Sequence, residues 1–194
     1  MTPVHHSHLV LGGARSGKSR HAVSQARSAA RRTGFVPTAE AVDGDMRERI
    51  ARHKAERPRE WITMEAPLDI VAACRRLARR VDLIVIDCLT VWVSNQMAGG
   101  RDDDAILSAA DGLAKFMSER LASLVLVSNE VGEGVHPPTG IGLRFRDVLG
   151  SVNQCIAAAA DRVTLMVAGI PVEIKRAALP SSESESHGRP VEAP

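Results

Sequence analysis

The sequence predicts an α/β fold, a mostly parallel sheet with helices on both faces, and three observations carry that expectation. Short, nearly continuous apolar runs recur at Leu9–Leu11, Val81–Ile86 and Leu121–Val127, as expected of strands buried on both faces. Segments with helical periodicity separate these runs, which is the strand–helix alternation of a parallel sheet. The first run leads directly into Gly12-Gly13-Ala14-Arg15-Ser16-Gly17-Lys18-Ser19 and then into a helical segment.

That order of strand, Gly-rich loop and helix is the context a phosphate-binding P-loop requires. The glycines let successive backbone N–H groups turn inward toward phosphate oxygens, and the following helix begins with its positive dipole end at the same place. Lys18 is placed to reach the β- and γ-phosphates and the Ser19 hydroxyl to ligate Mg²⁺. A plain Gly-rich turn before an ordinary helix is the alternative, and the full motif in this context argues against it. The expectation is therefore a single P-loop NTPase-type domain over residues 1–178, followed by a disordered tail over 179–194 rich in Ser, Glu and Pro.

Composition narrows the partners. The chain has 194 residues, enough for one full α/β core. Its net charge of +2 does not point to nucleic acid, and with no Tyr there are few stacking platforms for bases. Cys74, Cys88 and Cys155 are far apart and form no zinc spacing. They read as reduced thiols of a cytoplasmic protein. No apolar run approaches the roughly 20 residues needed to span a bilayer, and no signal-peptide pattern opens the sequence. His5, His6 and His8 lie close together, and a fraying, solvated terminus accounts for them better than a metal site does.

Along the chain, Ala22, Val23, Ala26, Ala29 and Ala30 mark one face of a helix that Gly34 is expected to end. Phe35-Val36 reads as a strand running into Pro37-Thr38-Ala39-Glu40. Asp43 to Arg57 is charged and helical, with Met46, Ile50 and His53 on one face among Arg49, Arg52, Lys54 and Arg57; Pro58 stops it. Trp61-Ile62-Thr63 is a possible strand, followed by Glu65 and a helix from about Pro67 to Arg79. Val81–Ile86 ends in Asp87, the shape of a strand that delivers a carboxylate to Mg²⁺; a helix cap is the alternative role for Asp87. Asp102-Asp103-Asp104 starts a helix striped by Ile106, Ala109, Leu113 and Met117. The Leu121–Val127 strand ends in Ser128-Asn129-Glu130-Val131-Gly132, and Gly132–Gly142 is a loop. A helix from about Leu143 to Ala160 carries Arg146, Gly150 and Asn153 on one face; Gly150 suggests close packing or ligand approach there. Val163–Val167 and Val172–Ile174 are the last strands.

Taken together, several of these stretches resemble one family, the bifunctional adenosylcobinamide kinase/adenosylcobinamide-phosphate guanylyltransferases of cobalamin biosynthesis. They are the loop with Arg20, Asp45-Met46-Arg47 through Arg49-Ile50 to His53-Lys54, Arg57-Pro58 with Trp61, and Asp87-Cys88-Leu89-Thr90. Ser128-Asn129-Glu130-Val131-Gly132, Phe145-Arg146-Asp147, Gly150, Asn153-Gln154 and Ala168-Gly169-Ile170-Pro171 continue the match, in order, across about residues 9–175. The resemblance implies two reactions. A nucleoside triphosphate, ATP or GTP, phosphorylates the hydroxyl of the aminopropanol arm of adenosylcobinamide. GTP then loses pyrophosphate to leave GMP on a histidine, and adenosylcobinamide phosphate accepts it. The resemblance places that histidine at His53 and implies nucleotide contacts by residues 12–19, by Pro37, Thr38 and Ala39, by Lys54, Ala55, Glu56 and Arg57, and by Glu65 and Asp87. It also implies a homotrimer. Pro37 departs from the family, which more often has a small residue before Thr, and it removes a backbone donor.

The implied chemistry is physically coherent. A nucleophilic histidine must be neutral at the attacking nitrogen, and neighbouring Arg and Lys disfavour imidazolium. The same cations stabilise charge on leaving pyrophosphate. Glu65 or Glu130 would orient the ring. Periodicity alone favours a satisfied, half-buried helix histidine at His53; the resemblance reverses that preference. His21 reads as structural and His136 as a solvated loop residue. The rival readings are a P-loop kinase of another small hydroxyl compound, which needs Lys18, Ser19 and Asp87 but no nucleophilic histidine, and a nucleotide-sensing regulator.

Overall fold

A computed structural model of the protein describes residues 5–29, 31–40, 58–134 and 136–176. Seven strands form one sheet: β1 (Ser7–Gly12), β2 (Thr33–Pro37), β3 (Ile62–Thr63), β4 (Leu83–Asp87), β5 (Ser123–Val127), β6 (Arg162–Val167) and β7 (Ile170–Arg176). Their order is β3-β2-β4-β5-β1-β6-β7. Every neighbouring pair is parallel except β6 with β7. The helices are α1 (Lys18–Ser28), α2 (Ile70–Leu77), α3 (Leu89–Ala98), α4 (Asp103–Ser118) and α5 (Gly140–Ala159).

Period-two alternation sorts the strand residues onto two faces. Leu9, Leu11, Val36, Ile84, Ile86, Leu124 and Leu126 face the larger cluster, built with α2, α3, α4 and α5. Val10, Phe35, Val85, Val125 and Val127 face Ala22 and Ala26 of α1, with Trp61 stacked on Phe35. The predicted layering, helices on both faces of a mostly parallel sheet, is what the chain adopts. The predicted helices over 67–79 and 143–160 correspond to α2 and α5; α5 begins earlier, with Thr139 as its cap accepting from the Gly142 N–H. Asp102 caps α4 as the acidic start predicted.

Several expectations are corrected. Gly34 does not end a helix; it lies inside β2. A Cβ there would come within 3.2 Å of Leu77 and 3.3 Å of Val81, so the missing side chain makes room for α2. His8 is not part of a frayed terminus: β1 begins at Ser7 and is buried throughout. The His8 ring is held 2.8 Å from Gln25 Oε1 on α1 and 2.8 Å from Thr164 Oγ1 on β6. Burial, and then the Arg162 charge, hold its pKa down at about 4, so the ring is neutral. Gly150 is not in close packing among the described residues, since a Cβ built on it meets none of them within 4 Å. The predicted tail at 179–194 lies outside the described residues, and among those no helix is long and apolar enough to cross a membrane.

Candidate active site

The site forms where β1, β2, β4 and β5 end. β1 passes into the loop through Gly12, whose φ of 154° puts it in a conformation open to glycine. A Cβ there would lie 2.5 Å from Ser16 Oγ and 2.7 Å from the Met166 carbonyl, so only hydrogen fits. Arg15 and Gly17 also take positive φ, 57° and 92°, curling Gly13–Gly17 into a compact turn closed by Ser16 N–H donating to the Gly13 carbonyl at 3.2 Å. The β6–β7 turn at Ala168-Gly169 supports this curl from behind, the Gly169 N–H donating to the Ser16 carbonyl at 3.0 Å. That contact gives Gly169, within the Ala-Gly-Ile-Pro stretch, a physical role that the sequence left open.

α1 starts at Lys18 with Gly17 in the cap position and no side-chain cap. Its first N–H groups and its dipole therefore face the loop, as an anion site requires. Ser16 Oγ is buried and has no hydrogen-bond partner among the described residues. Lys18 Nζ reaches back over the loop to the Gly13 carbonyl at 2.8 Å. The Ser19 hydroxyl donates to Asp87 Oδ1 at 3.3 Å. Asp87 closes β4 on the α1 face, in alternation with Val85. The helix-cap alternative for Asp87 falls away, because Cys88 occupies the cap of α3 and Asp87 turns to Ser19 instead. Two hard oxygen donors side by side fit Mg²⁺, which takes one or two protein oxygens and completes its shell with phosphate and water.

β2 ends beside β4. Pro37 and Thr38 are buried and Ala39 is half-buried. The Thr38 hydroxyl donates to the Cys88 carbonyl at 2.7 Å and accepts from the Cys88 N–H at 2.9 Å, while its carbonyl accepts from Asn95 at 2.8 Å. Thr38 thus braces β2 against the turn that follows Asp87. Burial and the Asp87 charge push the neighbouring Cys88 thiol up to about 11, so it stays protonated. Glu65 is exposed at the same rim, between Met64 and Ala66, whose N–H groups bond the Phe35 and Pro37 carbonyls. His53, Lys54, Ala55, Glu56 and Arg57 lie outside the described residues, as do Met46 and Ile50. Glu130 continues the alternation of Ser128 and Leu126 and so leaves β5 on the face away from α1; its carboxylate accepts from the Gly132 N–H at 2.8 Å. His136 is exposed, as expected, with its ring nitrogen 2.9 Å from Arg146.

The Ser128–Gly132 and Asn153 stretches, whose joint role periodicity did not reveal, meet in one network. Ser128 Oγ donates to Asn153 Oδ1 at 2.7 Å, Asn153 Nδ2 donates to the Asn129 carbonyl at 3.0 Å, and the Asn129 N–H donates to Thr90 Oγ1 at 2.7 Å. The polar character of these strand-end residues, directly after an apolar run, is the signal that marks them.

Comparisons with known proteins bear on the fold and on the family. A solved structure of a KaiC-like protein from Pyrococcus horikoshii superposes with a TM-score of 0.52 at 15% identity, covering 84% of this chain and 71% of that one, which speaks to the fold. The bifunctional adenosylcobalamin biosynthesis protein CobP of Pseudomonas aeruginosa is 40% identical, covering 86% of this chain and 96% of its own length. CobU of Salmonella typhimurium is 38% identical and that of Escherichia coli 35%, each covering 86% of this chain and 98% of its own. The profile of the cobinamide kinase / cobinamide phosphate guanyltransferase family matches residues 8–174, almost the whole described fold, and the chain belongs to that family.

Proposed function

We propose that the chain transfers a phosphoryl group from ATP or GTP to the aminopropanol hydroxyl of adenosylcobinamide. It then moves GMP from GTP, by way of His53, onto adenosylcobinamide phosphate to give adenosylcobinamide-GDP. The observation that carries the reading is the pairing of Ser19 with Asp87 at 3.3 Å, directly beside Lys18 at the mouth of the loop. In the kinase step the loop N–H groups and Lys18 hold the triphosphate, and Lys18 offsets charge on the transferring group. Ser19 and Asp87 would hold Mg²⁺, which supplies neutralisation of β- and γ-phosphate charge. In the guanylyl step a neutral His53 nitrogen bonds the α-phosphorus as the bond to the α–β bridging oxygen breaks and pyrophosphate leaves. The phosphate of the corrinoid substrate then takes the α-phosphorus, and the imidazole recovers its electron pair. Pro37 to Ala39, Glu65 and Lys54 to Arg57 are proposed to frame the nucleotide, by the family resemblance.

The unpaired Cys74, Cys88 and Cys155 suit a cytoplasmic setting. The exposed Ile170, Val172 and Ile174, alternating along β7, suit a homo-oligomer, a trimer by resemblance. The test is incubation of the protein with α-labelled GTP and Mg²⁺. Retention of acid-labile GMP, close to one per chain, is the expected result. No retained label alongside intact phosphorylation of adenosylcobinamide would replace this reading with that of a simple kinase.

A further inference from the structure

β5 lies between the strand that carries the loop and the strand that carries Asp87. Whatever leaves the end of β5 therefore enters the space between the two halves of the phosphate site. The parallel ladder continues past the last regular residue of β5: the Ser128 N–H donates to the Val10 carbonyl at 3.0 Å and the Glu130 N–H to the Gly12 carbonyl at 3.1 Å. Two donors spaced two residues apart on one partner strand mean that the backbone stays extended to Glu130. Side chains keep alternating, so Asn129 falls on the same face as Val125 and Val127, the face of α1, the loop helix. Asp87 is registered against Val127 on that face. Asn129 stands one step further out, level with Gly12 where the loop begins.

The backbone of Asn129 is pinned from both sides, its N–H by Thr90 and its carbonyl by Asn153. Asn153 is itself buried and held by Ser128. The Asn129 carboxamide forms no hydrogen bond among the described residues and is half-exposed at the rim. A polar side chain with a rigid backbone, on the sheet face that carries Asp87 and level with the start of the loop, is arranged to address a charge that arrives with the substrate. We infer that Asn129 is a further catalytic residue of the kinase step: its side-chain N–H₂ donates to an equatorial oxygen of the γ-phosphoryl group during transfer. Thr90 and Asn153 are its positioning residues.

This inference rests on the kinase reading proposed above. In the step it serves, the substrate hydroxyl oxygen bonds the γ-phosphorus while the bond to the β–γ bridging oxygen breaks. The nucleoside diphosphate leaves with that electron pair, and the hydroxyl proton passes to water. A donor fixed beside the γ-phosphoryl strengthens as charge spreads over its equatorial oxygens, so its loss falls on kcat rather than on nucleotide affinity.

The experiment compares the full-length wild type with Asn129→Ala, Asn129→Asp, Asn153→Ala and Lys18→Ala, measuring kcat and the nucleotide KM for adenosylcobinamide phosphorylation. The expected result is a kcat about 10²-fold lower for Asn129→Ala, with KM within about threefold. Asn129→Asp, the same shape with a repelling charge, should be at least as slow. Asn153→Ala should show a smaller loss in kcat. Near-wild-type turnover by Asn129→Asp or Asn129→Ala, while Lys18→Ala is inactive, would overturn the inference and leave the kinase reading standing. A raised KM with kcat unchanged in Asn129→Ala would overturn it too. Activity in Lys18→Ala would instead overturn the kinase reading.

Discussion

Ser19, one residue into the loop helix, and Asp87, the last residue of β4, are separated by 68 positions in the chain and by 3.3 Å in space, the hydroxyl donating to the carboxylate. Neither residue is unusual where it stands: a serine begins a helix and an aspartate ends a buried strand. The contact arises because β5 separates β4 from β1 while α1 crosses back over both, so that Val85, Val125 and Asp87 all face α1.

The Ser19–Asp87 pair makes a prediction about Mg²⁺. Asp87→Asn keeps the shape and the hydrogen bond from Ser19 but removes the charge that a hard cation needs. Affinity for Mg-nucleotide should fall by about tenfold or more, roughly 1.4 kcal/mol. Affinity for nucleotide in the presence of a chelator should change little. Titration calorimetry under both conditions decides; equal affinities for wild type and variant with Mg²⁺ would count against a metal role.

The two half-reactions should separate at His53. Phosphorylating a hydroxyl needs positioning and charge stabilisation but no covalent intermediate on the protein. His53→Ala or His53→Asn should therefore lose GMP retention from labelled GTP and keep at least part of the kinase rate. A His53 variant that still carries GMP would assign the nucleophile to another residue.

Acid should weaken the fold through His8. In the native chain its pKa is lowered from 6.5 to about 4. Between those values the unfolded chain binds the proton that the folded chain refuses, so stability is full above about pH 6.5 and falls as pH drops toward 4. The loss approaches roughly 3 kcal/mol if the whole shift is expressed. His8→Gln can still hydrogen-bond at this position and cannot titrate, so it should flatten the slope. Denaturant midpoints at pH 7, 5.5 and 4.5 measure it, and identical slopes for both proteins would exclude His8 as the source.

The elements that the sequence made legible are those whose physics is local. Leu9–Leu11 and Val81–Ile86 read as strands because burial on both faces needs an unbroken apolar run, and Gly12–Ser19 read as a phosphate loop because its spacing is itself the geometry. The misreadings come from distant partners. Gly34 obeys the rule for a helix end but answers to Leu77, the last residue of α2, and to Val81 just beyond it. His8 resembled a frayed terminus because Gln25 and Thr164, which satisfy its ring, lie 17 and 156 residues away. The face on which Asn129 emerges is set by the continuation of the β1–β5 ladder, which no pattern within residues 128–132 encodes.

The most direct measurement of the central claim, that the triphosphate is held by the Gly12–Ser19 loop for transfer to adenosylcobinamide, is the kinase turnover of Lys18→Ala. Lys18 has 8% of its surface exposed and spans the loop to the Gly13 carbonyl, so the variant must also be checked by thermal unfolding. The expected result is a folded protein whose turnover has fallen by about 10³-fold or more, the scale on which cations at the transferring phosphoryl group act. A folded Lys18→Ala protein that phosphorylates adenosylcobinamide at a rate near the wild type would contradict it.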